Sequence, residues 1–262
     1  MTHAFVLAVT LLVSERMLVS TEWLAQNLRD VTVVHVGTPQ AFAEDHVPGA
    51  HFLDVAKLVE TRTGDRDELP RIDQLQKTIE ELGIGTRGRI VIYGDEPQFA
   101  SRLFFTLDYL GQGKRIALLD GGLAKWKRDL RPVASGAPDH KPRPFTARIE
   151  LERLMLLTAL QKLKDVPIVD VRAPAAFEAG HIPAAVNVFW KSTLTDAGTL
   201  RPPDELRALF PVAPAAHVVV YDDTGMFASW PYFVLRYLNL APALYDGGFE
   251  QWKERVVAKP EG

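Results

Sequence analysis

The chain repeats itself, and that constrains its fold more than any other feature of the sequence. Val33-Val34-His35-Val36, then Ala41-Phe42 and His46-Val47-Pro48-Gly49-Ala50, match Ile168-Val169-Asp170-Val171, then Ala176-Phe177 and His181-Ile182-Pro183-Ala184-Ala185, at a constant shift of 135 positions. Ile90-Val91-Ile92-Tyr93 with Phe99-Ala100-Ser101 matches Val218-Val219-Val220-Tyr221 with Phe227-Ala228-Ser229 at a shift of 128. Leu119-Asp120-Gly121-Gly122 through Trp126 matches Tyr245-Asp246-Gly247-Gly248 through Trp252 at 126. The shift shortens only between these blocks, where loops absorb deletions. One folding unit is therefore used twice, which suits a chain of 262 residues.

Within each unit, apolar runs of about four or five β-branched residues alternate with helical periods, as in Arg71 to Leu82 and Leu156 to Leu163. Strands that are apolar throughout are buried on both faces. The pattern predicts a mostly parallel sheet flanked by helices, with ligands at the carboxyl ends of the strands. The first domain is expected over 18–131 and the second over 149–258. Between them, 132–148 is proline-rich and reads as an extended linker.

Hydrophobic and charged residues at 47% and 24% are those of a globular protein. A net charge of −3 provides no field for nucleic acid or an anionic membrane, so neither is expected as a partner. The apolar run Ala4 to Val13 is too short to span a bilayer, and no basic residue or small-residue cleavage site frames it as a secretion signal. Met17 offers a more ordinary start. The protein is expected to be cytoplasmic, and the run at 4–13 is the one feature that would allow export. Cysteine is absent, so no disulfide, thiolate metal site or cysteine nucleophile can form.

The motif set resembles the tandem-domain rhodanese family, the thiosulfate and 3-mercaptopyruvate sulfurtransferases, from about Leu18 onward. The resemblance rests on Asp170-x-Arg172, on Phe177-Glu178 through His181-Ile182-Pro183, on the strand, loop and helix from Val218 to Ser229, and on Asp246-Gly247-Gly248-Phe249 through Trp252. It implies two rhodanese-like α/β domains with catalysis in the second. There a cysteine at the start of a strand-to-helix loop takes a sulfane sulfur, becomes a persulfide and passes the sulfur on. Converging loop amides at a helix N-terminus favour the anionic sulfur.

Alignment by the strand and by Ala228-Ser229 puts Asp222 at the cysteine position, followed by Asp223-Thr224-Gly225-Met226-Phe227. The matching first-repeat loop, Gly94 to Phe99, also has no thiol. Many tandem members carry an arginine just before the phenylalanine that corresponds to Phe177; here Ala176 stands there. The resemblance thus implies a sulfurtransferase homologue that is catalytically degenerate and keeps a binding or regulatory role, with a small anion or a thiol-containing protein as partner and no metal or cofactor. The alternative is a sulfurtransferase or hydrolase that uses a non-cysteine mechanism at the Asp222 loop.

Asp170, Arg172, Glu178 and His181 form the supporting polar set. His181 has the titration range of a general acid or base, but the structural reading is that Arg172 pairs with Asp or Glu to fasten the His181 turn. Asp222-Asp223-Thr224 also has the shape of a haloacid-dehalogenase nucleophile loop, although there a second aspartate stands where Thr224 does. Asp120-Gly121-Gly122 and Asp246-Gly247-Gly248 read as turns. For Asp222 the expectation is a carboxylate that fills the amide cradle from within, its pKa lowered by the hydrogen bonds it accepts.

Overall fold

The computed structural model describes residues 17–62, 65–213 and 216–258, so the apolar run at 4–13 lies outside the described residues. Two five-stranded sheets carry the fold. The first contains β1 (Leu18–Val19), β2 (Val31–Gly37), β3 (His51–Asp54), β6 (Arg89–Gly94) and β7 (Ile116–Leu119), in the order β1-β7-β6-β2-β3. The second contains β8 (Leu154–Met155), β9 (Ile168–Asp170), β10 (Ala185–Asn187), β11 (His217–Tyr221) and β12 (Ala241–Tyr245), in the matching order β8-β12-β11-β9-β10. Every neighbouring pair in both sheets is parallel. The central strands explain this: Ile90 to Tyr93 of β6 and Val218 to Tyr221 of β11 are all buried, which requires helices on both faces.

A hairpin of β4 (Glu60–Arg62) and β5 (Asp65–Glu68) projects from the first repeat. The second repeat keeps only an isolated antiparallel bridge, Leu194 to Leu200, in its place. The helical period at 71–82 becomes the helix Ile72–Leu82, ended by Gly83 in the left-handed conformation. The period at 156–163 yields only one turn, Leu157–Leu160. Asp165 at positive φ and Pro167 bring the chain directly into β9 and leave no room for more helix.

The repeats meet through two equivalent helices, Pro97–Tyr109 and Ser229–Tyr237. Both are buried along most of their length, and their side chains join one apolar core with residues of both sheets. Between the repeats, Ala134 pairs with His46 and Phe145 is buried, so this proline-rich stretch is packed against the first repeat. Among the described residues no helix is long and apolar enough to cross a membrane.

Candidate active-site loop

β11 delivers Asp222 at its carboxyl end, and the next helix begins at Ser229, which leaves a loop at 222–228. Asp222 is 3% exposed. Its Oδ1 accepts the Gly225 N–H at 2.6 Å and its Oδ2 the Phe227 N–H at 3.1 Å. The side chain thus occupies the cradle of amides made by its own loop. Gly225 has φ of 95°, and a Cβ there would lie 2.4 Å from the Asp246 carbonyl oxygen, so only glycine fits where the loop presses on its neighbour.

Burial pushes the Asp222 carboxyl up to about 6, against the lowering pull of the Phe227, Gly225 and Ala228 amides and with a further upward push from Asp223. This corrects the expectation of a lowered value. The amides are present as anticipated, but removal of water from the charged form outweighs them.

The rest of the loop faces several directions. Asp223 is half exposed and accepts Arg172 Nη1 at 3.1 Å. Thr224 Oγ1 donates to Asp67 Oδ2 at 2.8 Å, reaching the hairpin of the first repeat. Met226 is buried, whereas Phe227 is 40% exposed beside Trp190, their rings 5.7 Å apart.

Arg172 fastens the neighbouring turn. Its Nη2 donates to Asp170 Oδ2 and to the Gly180 carbonyl, both at 2.6 Å, and its guanidinium lies 4.2 Å from the Phe249 ring centre. His181 Nδ1 lies 3.0 Å from the Phe177 carbonyl oxygen, and its ring stacks on Phe177. His46 repeats that geometry on Phe42, at 2.8 Å to the carbonyl. Tyr221 Oη accepts the Ile182 N–H and Tyr93 Oη the Val47 N–H. Since both repeats build the turn alike, its histidine shapes the chain. Glu178 stands apart, exposed on the helix Pro174–Glu178, because Asp170, Asp223 and a carbonyl already take the Arg172 donors.

The first repeat covers the loop through residues that local sequence patterns did not single out. Arg102, fully buried in the helix Pro97–Tyr109, donates to Asp246 Oδ1 at 2.6 Å and to the Asp67 carbonyl at 2.8 Å. Asp246 also accepts the Leu69 N–H. Beyond forming a turn, Asp246 therefore locks the two repeats together. The available signal was Arg102 itself, a cation inside the apolar run Phe99 to Phe105.

The first-repeat loop is built differently. A Cβ on Gly94 would lie 2.8 Å from the Val36 carbonyl oxygen, so a side chain at the position matching Asp222 would collide with backbone. Pro97 then opens the helix at once, winding up the residues that form the open loop in the second repeat.

The family model of the rhodanese-like domain matches residues 20–129 and 155–255. The chain is 30% identical over 279 residues to the sulfur carrier protein TtuD of Thermus thermophilus, covering 93% of this chain and 97% of that one. It is 30% identical over 285 residues to the thiosulfate sulfurtransferase of Rattus norvegicus, covering 94% of each. The crystal structure of the 3-mercaptopyruvate sulfotransferase SseA from Escherichia coli superposes with a TM-score of 0.80 at 27% identity, covering 88% of this chain and 98% of that chain. With both repeats matched and the sheets arranged alike, the chain belongs to the rhodanese-like domain family as a two-domain homologue of its sulfurtransferases.

Proposed function

We propose that this homologue has left persulfide chemistry and keeps a binding or regulatory role. The observation that carries the reading is Asp222, the residue at the family's cysteine position, which fills the amide cradle with its own carboxylate. A carboxylate oxygen cannot carry a sulfane sulfur as a thiolate does, and no cysteine elsewhere in the chain can replace it. The residue before Phe177 is Ala176, so a cationic clamp for an anionic substrate is missing there too. Against a non-cysteine sulfurtransferase or hydrolase stands the engagement of both Asp222 oxygens, in a side chain almost wholly removed from solvent.

The partner within this reading is a small anion or a thiol-bearing protein. The filled cradle favours the protein, which would meet the loop at the exposed Phe227. The proposed setting is the cytoplasm, where protein thiols stay reduced. The test is incubation with thiosulfate and cyanide, following thiocyanate. The rate should equal the buffer blank. Thiocyanate above that blank, from protein freed of host sulfurtransferases, overturns the proposal.

A further inference from the structure

Repeat symmetry relates two clefts, one at the carboxyl end of each sheet, and only one is filled. At β11 the space is taken by the β4–β5 hairpin and Arg102. At β6 the equivalent space, between the loop at 94–99 and the segment at 190–198, is an open cleft of about 760 Å³. Only the Leu194–Leu200 bridge stands where the hairpin would be. The position matching Arg102 is Trp230, which lines the cleft.

The charge at the cleft floor is set by how Asp95 is held. Its second-repeat match, Asp223, is paired with Arg172. In the first repeat Gly37 takes the arginine's place, and a Cβ there would lie 2.1 Å from Asp95 Oδ2. Asp95 instead meets His35 Nε2 at 2.6 Å and accepts the Thr38 N–H at 2.9 Å. His35 is fully buried against Phe42, Phe52 and Tyr93, and its Nδ1 has no hydrogen-bond partner. A proton on Nδ1 would be stranded among apolar rings. The ring is therefore the Nε2–H tautomer, donating to Asp95 Oδ1.

Glu96, next to it, lines the same cleft and makes no side-chain hydrogen bond or ion pair among the described residues. Of the cations that line the cleft, Lys127 pairs with Asp45, while Arg128 donates to the neutral Ala197 carbonyl at 2.8 Å and keeps its charge; Asp196 adds a third carboxylate to the lining. Lys191 also lines the cleft and lies 5.4 Å from the Trp190 ring centre, where it takes that indole face itself, so a ligand's charge is left to the carboxylates.

We propose that this cleft binds a small organic cation, an ammonium or guanidinium group on an apolar or aromatic body, with its charge against Asp95 and Glu96 and its body against Trp190 and Trp230. The inference stands apart from the reading of the Asp222 loop. It is tested on the full chain with phenethylamine as probe, by calorimetry and tryptophan fluorescence, beside its uncharged and anionic analogues 2-phenylethanol and phenylacetate. The amine should bind saturably at one site, about tenfold or more tighter than either analogue, which is the fold-change expected for one charge-assisted contact. Glu96→Gln should weaken it about tenfold and Asp95→Asn at least as much. Should Asp95→Asn fold poorly, Glu96→Gln carries the test alone, since its side chain holds nothing else. Absence of saturable amine binding, tighter phenylacetate binding, or unchanged affinity in Glu96→Gln overturns the proposal. So does a ¹⁵N spectrum showing His35 protonated on Nδ1.

Discussion

Ser101 Oγ and Ser229 Oγ lie 3.1 Å apart, both fully buried, and they are the same residue of the repeat. Each oxygen also lies close to the carbonyl three residues before it, Ser101 to Gln98 at 3.1 Å and Ser229 to Met226 at 2.6 Å. Phe104 meets Phe233 and Phe105 meets Tyr232, each pair 5.0 Å apart at 78°, with partners exchanged as across a two-fold axis. The axis places each loop opposite the other repeat's hairpin or bridge. Small local changes can then fill one cleft and leave the other open.

Asp222→Cys should return the chemistry the family resemblance implies. The thiolate would face the Gly225 and Phe227 amides that now hold the carboxylate. With thiosulfate it should gain one sulfur atom, seen by mass, and release sulfite. Adding Ala176→Arg should speed thiocyanate formation by holding the anionic donor. A well-folded double variant that gains no sulfur would mean that the hairpin contact of Thr224 with Asp67 denies the substrate access.

Asp222 gives stability a pH dependence of definite sign. Its folded-state value, raised by burial, means that the native protein binds more protons than the unfolded chain between the two values, so stability is present at low pH and lost as pH rises through the folded value. A rise from 3.8 to about 6, at about 1.36 kcal/mol per pH unit, is a loss on the order of 3 kcal/mol by neutral to mildly alkaline pH. Asp222→Asn, uncharged but able to accept only one of the two N–H groups, should fall below the parent near pH 4 and gain on it by roughly that amount as pH rises above 7. Denaturant unfolding across that range is the measurement. A parent that gains stability relative to Asn as pH rises would mean the amides dominate after all.

How much of this was legible in the sequence depends on the distance over which each feature is decided. The repeat shifts and strand runs predicted both sheets, because strand patterning and turn motifs are local. The filling of the amide cradle was legible too, from the place of Asp222 between strand and helix. The direction of its pKa was not, since a sequence reveals loop donors but not how completely the second domain and its neighbours exclude water. Arg102 and Asp246 are 144 residues apart, and their pairing exists only once the repeats dock. Glu178 shares the motif with His181 in sequence, but its place at the end of a short exposed helix turns it to solvent, which no local pattern reveals. The alignment gives Gly94 to Phe99 as a loop, but the helix starts inside it at Pro97, and the resulting loss of a cradle in the first repeat emerges only beside the backbone around Gly94.

Arg102 should be the most costly charged residue to remove. Its guanidinium is fully buried, and Arg102→Met would leave the Asp246 carboxylate, itself largely buried, with the Leu69 N–H as its main remaining donor. Stranding one partner of a buried pair costs about 3–5 kcal/mol, far more than the pair contributes when both partners are present. Adding Asp246→Asn removes the stranded charge and should recover much of the loss, so the double variant should be more stable than the two single effects predict, with a coupling of roughly 1–3 kcal/mol. Arg66 supplies the contrast: it also crosses between the repeats, to Glu250 at 2.5 Å, but both side chains are open to solvent, and Arg66→Ala should unfold at the parent's denaturant midpoint. Equilibrium denaturation of the four variants at neutral pH and moderate salt decides the matter. If Arg102→Met and Arg66→Ala were equally mild, the repeats would be held by their apolar helices alone, and the Arg102–Asp246 pair would have no part in keeping the loop covered.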